Sequence, residues 1–548
     1  MSCRSPLLLV WLMLAGGCSA FDPVESAPPP RPALPPAHGD RLVSASIGDA
    51  SNLIPMIAGD AASHEIAGQL YLALLKYDKD LNLVGQLADR WSISSDMRSI
   101  RFHLRPGLKW SDGRPFTSAD CLFTLRLMQA ETTQSPYKSD YDKVVAAAAP
   151  DATTFVVHYS EPFSPALATW ADLSILPEHV FRGVDIMNTP LSRQPQATIG
   201  PYVLADWQSQ QSILLRANPN YYDGPVWIEE RLTRIIPDPA TQFLELTAGH
   251  LDSMGLTPLQ YRRLFDTKAE LSRNYQRYNY LANGYTYLGF NLKHPPFDDP
   301  RVREAIALGI DRQELVEGIL FGLGEVIETP YKPGTSWVNG AIKPRPFDPA
   351  QARALLAAAG WQDSNGDGIL DQHGRPLSFT VLTNNGNKQR ADTATIIQQR
   401  LAEIGIEMKV RLVEWSAFIE NFINTKNFDA IILGWSLSPE PDQYAIWHSS
   451  QTGPREFNVI SYANPAVDAA LEGARRTFDA AERKRLYDRF QQELYKDVPI
   501  VFLYAGYALP TVHRRVRGIE PAPAGIGHNS EFWYVPAEEQ LYKTTMRP

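Results

Sequence analysis

The chain has 548 residues, 44% hydrophobic and 21% charged, an ordinary globular composition at a length too great for one core, so two or three domains are expected. Its formal net charge of −9 excludes the basic footprint of a nucleic-acid binder. The three cysteines, Cys3, Cys18 and Cys121, are too scattered and too unlike in setting to build a disulfide framework or a zinc site, and Cys121 reads as a buried, inert thiol.

Residues 1–18 read MSCRSPLLLVWLMLAGGC. Arg4 supplies a positive start and Pro6 to Ala15 a short apolar run, too short for a permanent bilayer span, so 1–17 is expected to be a signal peptide. Ala15-Gly16-Gly17-Cys18 resembles a bacterial lipobox, in which the cysteine becomes the first mature residue and carries lipid. Leu14 lies four residues before Cys18 rather than the three a lipobox favours, and ordinary cleavage nearby is the alternative. Residues 18–40 hold Pro28, Pro29, Pro30, Pro32, Pro35 and Pro36, which fix φ and remove donors, so this stretch reads as an extended tether.

Folded sequence begins near Arg41. Leu42–Ile47 suits a strand, and Ser63–Lys76 suits an amphipathic helix with Ile66, Leu70, Leu74 and Leu75 on one side. Ser99–Arg105 alternates with period two, and Pro106-Gly107 followed by Leu108 and Trp110 predicts a hairpin. Thr117 with Asp120 three residues on is a capping-box variant that opens a helix. Asp299-Pro300, Asp348-Pro349 and Asn464-Pro465 each place a cap before a proline at the first turn, Asp479 opens another helix, and Gly360 is a C-terminal stop. Interspersed strands and helices define a mixed α/β chain.

Several segments, in order, then resemble the peptide- and nickel-binding family of periplasmic solute-binding proteins. Residues 83–128 carry the densest block, LVGQLADRWSISSDMRSIRFHLRPGLKWSDGRPFTSADCLFTLRLM. Ile199-Gly200-Pro201-Tyr202, Arg216-Ala217-Asn218-Pro219-Asn220-Tyr221, Gly289-Phe290-Asn291, Pro296–Arg303, Ile310-Asp311-Arg312, Phe347-Asp348-Pro349 and Ala359-Gly360-Trp361 follow. The resemblance implies a two-lobed periplasmic binding protein fold with an inserted domain, closing by hinge motion. Lobe one would comprise 41–76, 198–283 and 505–540, the inserted domain 77–197, and lobe two 284–504. It also implies a monomer in the periplasm or cell envelope that hands a short peptide or related solute to an ABC permease with its ATPase, without cofactor or catalysis.

By the same resemblance, Gly434, Trp435, Ser436, Leu437 and Ser438 form a cleft loop that lends backbone to a ligand. The family usually carries an acid three places after the tryptophan, to pair with a peptide's amine; here Ser438 stands there, and Glu440 and Asp442 are the nearest carboxylates. These two acids could instead only cap the next segment. Trp415 matches a pocket position, though a core role fits equally, and Asp60 is a further amine partner by position. Asn458 and Tyr504 complete the ligand candidates.

Two rival motifs are weaker. Asp363-Ser364-Asn365-Gly366-Asp367-Gly368 starts like a calcium loop, but its twelfth position is Gly374, so the bidentate acid is missing and a turn is the better reading. Gly434-Trp435-Ser436-Leu437-Ser438 approaches a nucleophile elbow, but Ser438 replaces the second glycine, and Pro439 and Pro441 oppose the helix an elbow needs. An envelope receptor without a permease, and more remotely a hydrolase, stand as the other functional readings.

Overall fold

Three antiparallel or mixed sheets organise the chain in the computed structural model, which describes residues 34–544. The compact unit starts at Pro36; the expected signal peptide and Cys18 fall outside the described residues. The first sheet has seven strands in the order Tyr275–Arg277, Pro510–His513, Ser253–Gly255, Gly39–Ser46, Ile228–Ile235, Ser212–Ala217 and Tyr202–Gln208. The second runs Tyr280–Leu281, Ile500–Ala508, Gly284–Phe290, Ala430–Ser436, Ser378–Asn384 and Glu407–Val413, with Gly324–Val326 also on Ile500–Ala508. A four-stranded antiparallel sheet, Ala88–Ile93, Ser99–Leu104, Thr154–Tyr159 and Val144–Asp151, forms a third body.

The chain passes between the two large sheets at adjacent places. Tyr275–Arg277 belongs to the first sheet and Tyr280–Leu281 to the second, and only Leu509 separates Ile500–Ala508 from Pro510–His513. The two crossings are bonded to their surroundings, Tyr278 N–H donating to Pro510 O at 2.9 Å and Leu256 N–H to Leu509 O at 2.9 Å.

The apolar cores follow the same division. One cluster draws its residues from 50–226 and unites the third body with the outer strands of the first sheet, burying Trp110, Phe102, Phe155, Trp170 and Tyr202. Two others draw on 281–505 alone. A cluster beside the crossings, with Val43, Phe243, Leu323 and Leu509, takes residues from both large sheets.

Helix starts behave as the sequence predicts. Asp299, Asp348, Asn464 and Asp479 each accept a backbone N–H from the first turn of their helix, satisfying donors that have no partner inside the helix. Asp120 likewise accepts from Thr117 N–H at 2.9 Å, and Cys121 is a free, buried thiol. Two expectations fail. The helix expected over Ser63–Lys76 spans Ala61–Leu70, because the carbonyls that would continue it are taken by other segments: Leu70 O by Ile199 and Gly200 N–H, Leu72 O by Ile175 N–H and Leu74 O by Ala88 N–H. The hairpin expected after Ser99–Leu104 also does not form. That strand pairs with Ala88–Ile93 and Thr154–Tyr159, while Leu108 and Trp110 bond instead to Phe116 and Arg114.

Candidate functional site

Ala430–Ser436 is a buried apolar strand that ends in a polar, partly open tip. On one side it pairs along its whole length with Gly284–Phe290. On the other, pairing with Ser378–Asn384 covers only Ala430 and Ile431. The backbone edge from Leu433 to Ser436 on that side therefore has no strand partner among the described residues. Close approach is built into the paired side: a Cβ at Gly284 would lie 2.2 Å from Trp435 O, so only glycine fits there. Beyond the strand, Asn283 fixes the chain by accepting Leu437 N–H at 2.8 Å and donating Nδ2 to Leu437 O at 2.7 Å. No helix begins until Tyr444, which is not the strand–turn–helix geometry of a nucleophile elbow.

Trp435 opens an aromatic wall that runs across the seam between bodies. Its ring meets Phe457 edge-on at 5.2 Å, and Phe457 meets Tyr137 of the third body at 5.3 Å. Tyr137 Oη lies 2.8 Å from His64 Nε2, which also contacts Ala58 O at 3.0 Å. Burial holds the His64 imidazole below its usual pKa, against the opposing pull of the Ala58 carbonyl and of Asp60. Nearby, Trp415 crosses from the second body to the first: its Nε1 donates to Asp60 Oδ1 at 3.3 Å, and its ring lies over Gly48.

The acids expected to meet a ligand amine are largely occupied. Asp60 caps its helix through Ser63 N–H and accepts Ser51 and Ser63 hydroxyls at 2.6 Å each. Glu440 pairs with Arg483, and burial, opposed by that arginine, raises its pKa. Asp442 pairs with Arg475 at 2.6 Å. Neither acid caps the next helix; each serves an arginine, which the sequence reading did not foresee. Asn458 and Tyr504 are engaged inside the second body. Asn458 is wholly buried and spends its amide on His448 O, Tyr462 O and Tyr462 N–H inside one loop. Tyr504 lies in the core of the second body, its hydroxyl 3.1 Å from Thr393 Oγ1. Ser438, where the family carries an acid, has a buried hydroxyl beside Tyr77.

Sequence reading missed two charged groups near the ligand loop. Arg390, in the first turn of the helix Lys388–Ala402, donates to Asn384 Oδ1 at 2.9 Å and hydrogen-bonds to no acid among the described residues. A Cβ on Gly434 would sit 2.9 Å from its Nη2, so the guanidinium lies against the open strand edge. Burial lowers its pKa, as expected for a cation without a counter-charge. The signal was present in the sequence: an arginine in a helix's first turn opposes the macrodipole and calls for an anion. Asp172 reaches solvent but is ringed by protein, and burial, then Asp140 and Glu440, push its pKa up to about 7.

Two cavities elsewhere, of about 450 Å³ beside Thr257–Leu259 and about 630 Å³ beside Asp185 and Arg455, are lined by none of the expected ligand residues. The Asp363–Asp371 loop closes on itself, Asp363 accepting Gly366 and Gly368 N–H and Asp371 accepting Ser364. No cluster of metal-ligating side chains occurs among the described residues.

Two α/β bodies joined by paired crossing strands have the architecture of a two-lobed binding protein, and the second carries an open backbone edge with a cation beside it. Comparison with known proteins places it further. Residues 82–456 match the bacterial extracellular solute-binding proteins, family 5 Middle, and the chain belongs to that family. It is 31% identical over 541 residues to the oligopeptide-binding protein AppA of Bacillus subtilis (strain 168), across 96% of this chain and 97% of AppA. It is 32% identical over 440 residues to Protein XP55 of Streptomyces lividans, across 79% of this chain and 78% of that one. The structure of AppA in complex with a nonapeptide superposes with a TM-score of 0.87 at 30% identity, covering 91% of this chain and 100% of that chain. NikZ from Campylobacter jejuni in complex with Ni(L-His) superposes with a TM-score of 0.81 at 23% identity, covering 90% and 99%, a likeness of fold alone. The mixed α/β, two-lobed class expected from sequence is the class found.

Proposed function

We propose that this chain is the substrate-binding component of an ABC importer, capturing short peptides in extended form and delivering them to a permease with its ATPase. The observation that carries this reading is the unpaired edge from Leu433 to Ser436. An extended peptide added there gains main-chain hydrogen bonds without a demand on its side chains, which is β-strand addition. Trp435, Phe457, Tyr137 and Trp415 would wall the ligand, and Arg390 would take its terminal carboxylate. With Ser438 in place of an acid and with Glu440 and Asp442 committed to arginines, the amine is left to Asp172, whose carboxylate accepts no hydrogen bond among the described residues. The nonapeptide held by AppA supports the peptide class.

In this reading lobe one is 41–76, 198–283 and 505–540, the inserted domain 77–197 and lobe two 284–504. Ligand that bridges the lobes favours the closed state by the contacts it makes only there. Cleavage before Cys18 and its lipidation would tether the monomer in the cell envelope through the proline-rich 18–40 segment. The test is mass spectrometry of small molecules released on denaturing protein purified from its own host's envelope. A ladder of short peptides with free termini is expected; one non-peptide species overturns the substrate class.

A further inference from the structure

The third body and the second sheet's body share no apolar cluster, since one core draws only on 50–226 and the others only on 281–505. Away from the aromatic wall and from Tyr77 beside Ser438, what joins them is concentrated at the C-terminal end of the helix Pro465–Arg476. Ser164 N–H donates to Arg475 O at 2.7 Å and Ser164 Oγ to Ala474 O at 2.9 Å. The last carbonyls of that helix, which have no partner within it, are thus capped by a residue of the other body. Arg476 pairs with Glu161 at 2.9 Å. Arg475 is 5% exposed; it pairs with Asp442 at 2.6 Å on its own side and with Asp140 at 2.5 Å on the other. Tyr444 of its own side lies under the guanidinium at 3.8 Å.

We propose that Arg475 is a latch, joining Asp442 of the ligand loop to Asp140 of the third body so that the position of the loop and the closure of the lobes are coupled. Asp442 stands in the irregular chain that follows the open strand edge. A ligand that settles this chain also seats Asp442 on Arg475 and presents the guanidinium to Asp140. When the bodies part, Asp140 and Glu161 go to water while Arg475 keeps Asp442, so the latch opens without leaving an arginine unpaired. A charge-assisted pair gives such a contact direction and strength, and the lack of a shared core makes it reversible.

The experiment is solution scattering of the full chain in detergent, first without ligand, comparing wild type with Asp140→Asn, Glu161→Gln and Ser164→Ala. Each variant is expected to shift the distribution toward wider lobe separation, Asp140→Asn most, by about tenfold in the closed-to-open ratio, the scale of one lost charged hydrogen bond. A pool of nonapeptides with free termini then serves as the probe, and the variants are expected to release it faster at unchanged association rate. Asp140→Asn that melts like wild type and keeps wild-type lobe separation overturns the latch. Should Asp140→Asn fail to fold, Glu161→Gln and Ser164→Ala, which leave no buried charge behind, decide the matter by the same criterion. The ligand-free arm stands apart from the peptide reading: absence of nonapeptide binding by wild type refutes the substrate class and leaves the scattering result in force.

Discussion

Replacing Arg390 by methionine removes a guanidinium from the open strand edge while keeping much of its apolar stem. Among the described residues its guanidinium donates to Asn384 Oδ1 alone, and the side chain lies partly enclosed against Gly434. A charged hydrogen bond in such a setting is worth about 1.5–3 kcal/mol net, hence roughly 10- to 150-fold in affinity. The loss should fall on peptides with a free C-terminal carboxylate and spare their C-terminal amides. Titration calorimetry of one nonapeptide in both forms, against wild type and Arg390→Met, closes a double-mutant cycle. A coupling of about 1.5 kcal/mol or more is expected, with no loss of melting temperature, because the folded protein sheds a cation that burial already disfavours. Equal losses for acid and amide, within the roughly 0.5 kcal/mol that independent sites show, would refute the carboxylate assignment.

Other expectations concern stability and closure. Arg515 is buried between Asp40 and Asp252; Arg515→Met strands two buried carboxylates and should cost about 3–5 kcal/mol in urea unfolding, and a change under about 1 kcal/mol would contradict this. The Asp172 carboxyl, held up to about 7 chiefly by burial, binds its proton more tightly folded than unfolded. Its contribution to stability is therefore complete below the ordinary carboxylate range and lost as pH rises through about 7. Asp172→Asn should flatten the fall in melting temperature between pH 5 and 8, and an unchanged slope counts against the assignment. Gly386 has φ +86° and a Cβ there would lie 2.6 Å from Pro237 O of the first sheet's body; Gly386→Ala should widen lobe separation in scattering, at about 1–2 kcal/mol of backbone strain. Trp415→Phe deletes the bond to Asp60 and should raise the dissociation rate of bound peptide several-fold in stopped-flow fluorescence; an unchanged rate would assign Trp415 to packing alone.

Much of the fold was legible because local chemistry and global structure agree. Asp299-Pro300, Asp348-Pro349 and Asn464-Pro465 start helices for reasons contained in four residues. Failures arose where distant chain took the hydrogen bonds, as at Leu70, Leu72 and Leu74. The site was legible only in part. The order of motifs led to the Gly434–Ser438 segment, but nothing in Glu440 or Asp442 announces that Arg483 and Arg475, from helices 33 to 43 residues further on, neutralise them. The partners of Asn458 and Tyr504 inside the fold were not legible either, because a residue type says nothing about which way a loop folds over it. Arg390 was overlooked although its place in a first turn is unfavourable, and that local misfit is the kind of mark a functional residue leaves.

The separation of the cores has a consequence for what happens after capture. Two greasy faces pressed together would need a large input to part, since the apolar area exposed on opening scales the cost at about 25 cal/mol per Å². Away from the crossings and the aromatic wall, the seam here is stitched by serine, carboxylate and guanidinium groups, which water accepts almost as readily as they accept each other. A receptor built this way grips for as long as its cargo lends contacts to both halves. It lets go once a downstream machine offers a better arrangement, with no hydrophobic debt to settle.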